Sequence, residues 1–175
     1  MNTLQRWFWS SKAVGYIVRW RLRWFQKKFG YNDWQCIPIQ HKPYIVPMID
    51  RIEHNVLGGG TIVEVGCGRG DIIGNIAYSG KKIGIDMRRE NVEAARYFSK
   101  DTTFREGSFA NVDFGEIECL IMVNFIHGIS GEELQKEMRR ILSCNEVRMV
   151  VFDVLTDIEG TEYKYTHNGA FLLGG

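Results

Sequence analysis

At 175 residues the chain has room for one domain with a full core, and its 45% hydrophobic and 25% charged composition excludes a disordered or low-complexity protein. The four cysteines (Cys36, Cys67, Cys119, Cys144) form no C-x-x-C pair, and no apolar run reaches the roughly 18 to 20 residues that a membrane span needs. With Arg19, Arg21 and Arg23 interrupting any signal-peptide core, the expectation is a reduced, cytoplasmic protein, and the net charge of +1 selects no partner by sign.

Charge is distributed unevenly. Residues 1–30 hold seven basic residues, no acid, and four of the five tryptophans (Trp7, Trp9, Trp20, Trp24). This segment reads as an amphipathic helix packed on its own domain or on a second copy, as a helix lying in a membrane interface, or as a surface touching nucleic acid. Self-association or peripheral membrane contact is the expectation, with no nucleic-acid partner. Residues 31–57 hold all three prolines and the aromatic residues Tyr31, Trp34 and Tyr44. Gly58-Gly59-Gly60 divides the chain, giving a basic, aromatic cap segment over 1–57 and an α/β domain over 58–175.

Past the glycines, strand and helix patterns alternate. TIVEV (61–65) is a short β-branched strand, and DIIGNIAY (71–78) has helical spacing with Asp71 placed to cap it. KKIGID (81–86) is a second strand, ENVEAARYFS (90–99) a second helix, and TTF (102–104) a weak third strand. CLIMVNF (119–125) is a continuous apolar run, as in a strand buried on both faces. SGEELQKEMRRIL (130–142) opens on a capping box, Ser130 with Glu133, and VRMVVFDVL (147–155) is the fifth strand. Asn168-Gly169 lies between two strand-like runs, a turn signal for a short C-terminal β-hairpin. This alternation predicts a doubly wound, mostly parallel, Rossmann-like α/β sheet with helices on both faces, an N-terminal helical cap and that hairpin.

The turn VEVGCGRGD (63–71) carries the chemistry. A dinucleotide turn reads G-x-G-x-x-G, but here the third glycine comes one place early and Asp71 holds its position. With Glu64 on the other side, two carboxylates flank the turn and oppose a pyrophosphate. They favour a ligand that carries positive charge.

VEVGCGRGD resembles the first motif of the class I S-adenosylmethionine-dependent methyltransferases, and GIDM (84–87) resembles the second. The resemblance spans about residues 58–155. It implies S-adenosyl-L-methionine as cofactor, with Glu64, Gly66, Cys67 and Gly68 around its amino acid half. It also implies Asp86 on the ribose hydroxyls, 20 residues after Gly66, and Met87 on the adenine. EGSF would supply Ser108 and Phe109 at the adenine edge, although both also read as plain loop and core. IMVNFIHGIS would place Asn124, as a cofactor-binding residue, and His127 beside the transferred methyl, with His127 as the base. No metal is expected. Neither an N/D-P-P-Y motif nor a Pro-Cys pair follows the fourth strand, which favours O-methylation of a small acceptor. FGYNDWQCIPIQHKPYIVPMIDRI (29–52) resembles, more faintly, the N-terminal segment of methyltransferases of bacterial surface-polysaccharide clusters, which implies a sugar hydroxyl and makes Tyr31, Trp34, His41 and Tyr44 the substrate-facing candidates. After Leu155 only 20 residues follow, where the family carries a helix and two more strands. The competing reading is a non-catalytic module of the same fold that binds a protein or membrane through its N-terminal segment. An NAD-dependent oxidoreductase is a more distant third.

Overall fold

The computed structural model describes residues 12–31, 36, 39, 42, 44–126, 129–156 and 166–174. The chain divides into two compact units, Met1–Lys42 and Pro43–Gly175.

The first unit is built on helix α1 (Lys12–Phe29). Phe25 is fully buried, with the rings of Phe29 and Tyr31 centred 5.6 and 5.9 Å away. Arg21 lies over the Phe25 ring and donates through Nε to the Cys36 carbonyl at 3.0 Å.

The second unit opens with helix α2 (Ile45–Asn55), which buries Ile45, Met48 and Ile52 on one stripe. Pro47 falls in its first turn, where a missing N–H costs nothing. The 57/58 boundary read from composition thus differs from the structural division, which keeps α2 with the sheet. Next come β1 (Thr61–Val65), β2 (Lys81–Asp86), α3 (Arg89–Phe98), β3 (Thr103–Glu106) and β4 (Glu116–Met122). Helix α4 (Gly131–Cys144), β5 (Glu146–Val147), β6 (Met149–Thr156) and β7 (Thr166–Gly174) complete the described chain.

The strand order is β3-β2-β1-β4-β6-β7, with β5 as a short addition beside β4. Of the described strands only β7 runs antiparallel, along β6. From β1 the chain winds outward through β2 and β3, then returns to β4 on the other side. Strand order therefore reverses between β1 and β4, where open α/β sheets bind ligands beyond the carboxyl ends of their strands. The fold is the Rossmann-like sheet expected. Its core joins Val63 and Val65 of β1, Ile83 and Ile85 of β2, and Ile117, Leu120 and Met122 of β4 to Phe109, Val112 and Ile141. At about 1.5 to 3 kcal/mol for each such side chain removed from water, this layer fixes the strand ends that carry the site.

Two local expectations are corrected. Residues 71–78 do not form an α-helix: only a 3-10 turn, Ile73–Asn75, is present. Gly74 sits at its centre and is pressed close to α3, since a Cβ there would lie 3.1 Å from Ser99 Cβ. Asp71 is engaged in an ion pair with Arg69 at 2.6 Å, and the turn has no side-chain cap. Asn168-Gly169 is likewise no hairpin turn. Both residues lie inside β7, where the ladder steps from Asp153↔Ala170 to Leu155↔His167 and leaves them opposite one residue of β6. The Asn-Gly pair, which suits a turn, here fills a bulge.

Candidate functional site

The site grows from the end of β1. The N–H groups of Gly66 and Cys67 both donate to the Ile85 carbonyl of β2, at 2.8 and 3.0 Å, and fold the chain back against the sheet. Gly66, Gly68 and Gly70 all adopt left-handed backbone, with φ of +72°, +53° and +77°. Space matters too: a Cβ on Gly66 would lie 2.5 Å from the Phe125 ring, and one on Gly70 2.7 Å from Phe104. Only glycine fits there.

The third glycine-turn contact is the informative one. Gly68 N–H donates to Asp86 Oδ2 at 2.8 Å, while Asp86 Oδ1 accepts from Arg88 N–H at 2.9 Å and from the Asn91 side-chain amide at 3.0 Å. A carboxylate offers about four acceptor positions, so three bonds leave one for a ligand hydroxyl. Asn91 Oδ1 is buried without a hydrogen-bond partner beside it. A buried acceptor of this kind is costly unless a donor arrives. Met87, next in sequence, is 67% exposed, an apolar surface at the strand end. Two acceptors and an uncovered apolar side chain fit a nucleoside, whose sugar donates hydroxyls and whose base is flat.

Glu64 is 2% exposed and accepts from Ile73 N–H at 3.0 Å. Burial, reinforced by Asp71 and Asp86, pushes its pKa up to about 8. The same burial, with Glu64 and Asp86 nearby, raises the Cys67 thiol well above its ordinary value and keeps it neutral. Arg69 compensates Asp71 by its ion pair and lies over the Phe98 ring.

Across the switch point, Asn124 follows β4 with φ +56°, the one described non-glycine residue in the left-handed region. Its N–H donates to Asp153 Oδ1 of β6 at 2.8 Å, and its side-chain amide donates to the Tyr44 hydroxyl at 2.7 Å. Tyr44, just before α2, is half-buried. Its phenol is pushed up to about 12, first by burial and then by Asp153, Asp71 and Glu64, against the lowering effect of the Asn124 bond.

Residues 58–128 match the model of a methyltransferase-domain family. In three dimensions the chain is similar to magnesium protoporphyrin IX methyltransferase of Synechocystis, crystallised with S-adenosylmethionine: 17% identity, TM-score 0.56, over 88% of this chain and 76% of that one. It is also similar to a TehB-like S-adenosylmethionine-dependent methyltransferase of Corynebacterium glutamicum, at 13% identity and TM-score 0.52 over 66% of this chain and 70% of that one. A small RNA methyltransferase gives 15% identity and TM-score 0.54 over 66% of this chain but 16% of its own length. These likenesses show the fold of S-adenosylmethionine-dependent methyltransferases, and the family match itself is confined to residues 58–128. No curated protein matches it in sequence.

Within this fold the structure brings Glu64, Gly66, Cys67, Gly68 and Asp86 together around the first turn, with Asn124 and Tyr44 across the switch point. Ser108 accepts from Ala110 N–H at 3.3 Å, and its own N–H donates to Asn111 Oδ1 at 2.8 Å, closing a capping box on the 3-10 turn Phe109–Asn111. Phe109 is a core residue: its buried ring meets Phe125 edge-on at 4.9 Å. Tyr31 is buried in the first unit against Phe25. His127, Trp34 and His41 lie outside the described residues. Among the described residues no cluster of His, Cys, Asp and Glu could hold a metal ion.

Three residues escaped the sequence reading. Asp153 is a lone acid inside the apolar run VVFDV, and Asn91 is a buried amide in the first turn of α3, five residues after Asp86. The first anomaly was visible in sequence; the burial of Asn91 was not. Arg69 gave no signal beyond its place between two glycines.

Proposed function

We propose that the protein methylates a hydroxyl of a small acceptor, with S-adenosylmethionine as the donor. The observation that supports this reading is the Gly68–Asp86 contact, which joins the glycine turn to a buried carboxylate beside the orphaned Asn91 oxygen, a pair of acceptors that suits a nucleoside's hydroxyls. When bound, the cofactor supplies an electrophilic methyl on a sulfonium.

The chain's own residues then divide the work. Asp86 and Asn91 take the sugar hydroxyls, and Met87 covers the base. Glu64 and the glycine turn hold the amino acid half, where a buried carboxyl suits an ammonium. Tyr44 and Asn124 line the side of the switch point from which an acceptor approaches. In-line transfer needs alignment and exclusion of water, and a hydroxyl nucleophile also needs its proton removed. His127, three residues after Asn124, is assigned that role.

The neighbours are named for acceptors as different as a magnesium porphyrin and RNA, so the fold alone sets no acceptor class. The choice of a small hydroxyl, such as that of a sugar, rests on NFIHG after β4, where amino-directed enzymes carry N/D-P-P-Y and cytosine-directed ones Pro-Cys. Calorimetric titration with S-adenosylhomocysteine, with NAD as control, is the test, followed by an acceptor screen on wild type and His127→Ala. The expected result is binding of S-adenosylhomocysteine alone, and methyl transfer to a hydroxyl that His127→Ala removes while cofactor binding persists. Binding of NAD, or none to folded protein, overturns the reading.

A further inference from the structure

Helix α1 has two apolar stripes, and folding accounts for only one. At 3.6 residues per turn, Val18, Leu22, Phe25 and Phe29 share a stripe at i, i+4, i+7 and i+11. That stripe is buried or half-buried. Tyr16, Trp20, Arg23 and Lys27 repeat the same spacing on the opposite side. There Tyr16 is 70% and Trp20 68% exposed, with Ile17 beside them at 47%. Arg19, Arg23, Lys27 and Lys28 are all exposed around this second stripe, and Arg19 lies over the Tyr16 ring at 5.4 Å. Stability gives no reason to hold two large aromatic rings and an isoleucine in water.

We infer that this outer stripe docks on an anionic lipid surface, with Tyr16, Ile17 and Trp20 entering the headgroup boundary and the basic residues meeting lipid phosphates. Charge decides the occupant. Residues 1–30 contain no acid, so two copies of the helix facing each other would bring like charges together. Between Tyr16 and Lys28 the one amide side chain is Gln26, and it donates to the Gly30 carbonyl at 3.1 Å, so the charged groups around the apolar rings are all arginine and lysine. Aromatic rings beside an aliphatic side chain, flanked by Arg and Lys, are what an interfacial helix presents. No described helix is long and apolar enough to cross a membrane, so this one would lie along the surface.

Attraction to an anionic leaflet amounts to roughly fivefold in affinity per basic residue near the surface. The test is sedimentation of the full chain with phosphatidylcholine vesicles and with vesicles that also contain phosphatidylglycerol. S-adenosylhomocysteine titration is run in parallel, since the inference stands independently of the cofactor reading. Expected is pelleting with the anionic vesicles only, weakened by salt. Trp20→Ser should lower affinity roughly tenfold, and Arg23→Glu with Lys27→Glu more than that, as each reversal also adds repulsion. Helix content by circular dichroism and cofactor binding should not change. Equal pelleting with neutral vesicles, or variants that bind as wild type does, would overturn the inference. So would Trp20-dependent binding of single-stranded RNA or a Trp20-dependent dimer in place of vesicle binding.

Discussion

Gly68 and Asp86 are 18 residues apart in sequence, and the backbone N–H of one donates to the carboxylate of the other at 2.8 Å. The bond clamps the glycine turn to the end of β2, so the two halves of the candidate site share a single acceptor. Substitution at Asp86 should therefore act on binding and on stability together. In Asp86→Ala the Gly68 N–H and the Asn91 amide lose their buried acceptor, at about 1 to 3 kcal/mol for each unsatisfied group. S-adenosylhomocysteine affinity should fall by roughly 10- to 100-fold, the equivalent of one charge-assisted bond. Asp86→Asn retains one acceptor oxygen and should fall between wild type and alanine in both calorimetry and melting temperature. Unchanged affinity in both variants would remove Asp86 from the site.

Gly66 and Gly58 both have positive φ, +72° and +85°, but different surroundings. A Cβ on Gly66 meets Phe125, whereas one on Gly58 has nothing within 4 Å. Gly58→Ala should cost only the left-handed penalty, about 1 to 2 kcal/mol. Gly66→Ala should cost that plus the overpacking of Phe125, about 2 to 5 kcal/mol in all. Denaturant unfolding of the two variants side by side measures the difference. If they match, Phe125 yields freely and the close approach is not what requires glycine.

Glu64 gives the site a pH dependence with a definite sign. Its folded pKa is raised to about 8 from 4.5, so the folded state holds the extra proton between these values. The contribution to stability is complete below the unfolded pKa and is lost as pH rises toward the folded one, by about 1.4 kcal/mol per pH unit at most. Glu64→Gln, neutral throughout, should match wild type near the low end of that window and be the more stable protein at its high end. A bound ammonium would favour the charged form, so S-adenosylhomocysteine binding near neutral pH should release a proton. Calorimetry in buffers of different ionisation enthalpy reads that release directly, and Glu64→Gln should abolish it. A buffer-independent heat in wild type would mean that Glu64 is already ionised or does not meet the ligand.

The sheet was legible because its strands are buried enough to be written in apolar residues: TIVEV, KKIGID and the run before Asn124 all became neighbouring parallel strands. Sequence failed where tertiary contact overruled a local pattern. DIIGNIAY has helical spacing, but Glu64 draws the Ile73 N–H and Ser99 crowds Gly74, leaving a single 3-10 turn. Asn168-Gly169 has turn chemistry, but β6 supplies a partner strand and turns it into a bulge. In the site, the glycines and Asp86 were visible because their spacing is local. The Tyr44–Asn124 contact joins residues 80 apart and leaves no trace in periodicity.

That contact carries the last prediction. Asn124 is held in left-handed backbone by the Asp153 carboxylate, which accepts its N–H, and this directs its side chain at the Tyr44 hydroxyl. Asn124→Gly removes the side chain but tolerates the φ, whereas Asn124→Ala removes the side chain and strains the backbone by about 1 to 2 kcal/mol. The stability gap between them measures the strain; the loss they share measures the contact. For function the two should agree, because both release Tyr44. Tyr44→Phe keeps the ring and deletes the hydroxyl, and it should join them. If Tyr44 lines the acceptor side, all three should lower kcat for methyl transfer, with S-adenosylhomocysteine affinity within about twofold of wild type. A matched loss of cofactor affinity would move Tyr44 from the acceptor to the cofactor. Full activity in Tyr44→Phe would leave the Asn124 amide with a purely structural role, closing α2 against the end of β4.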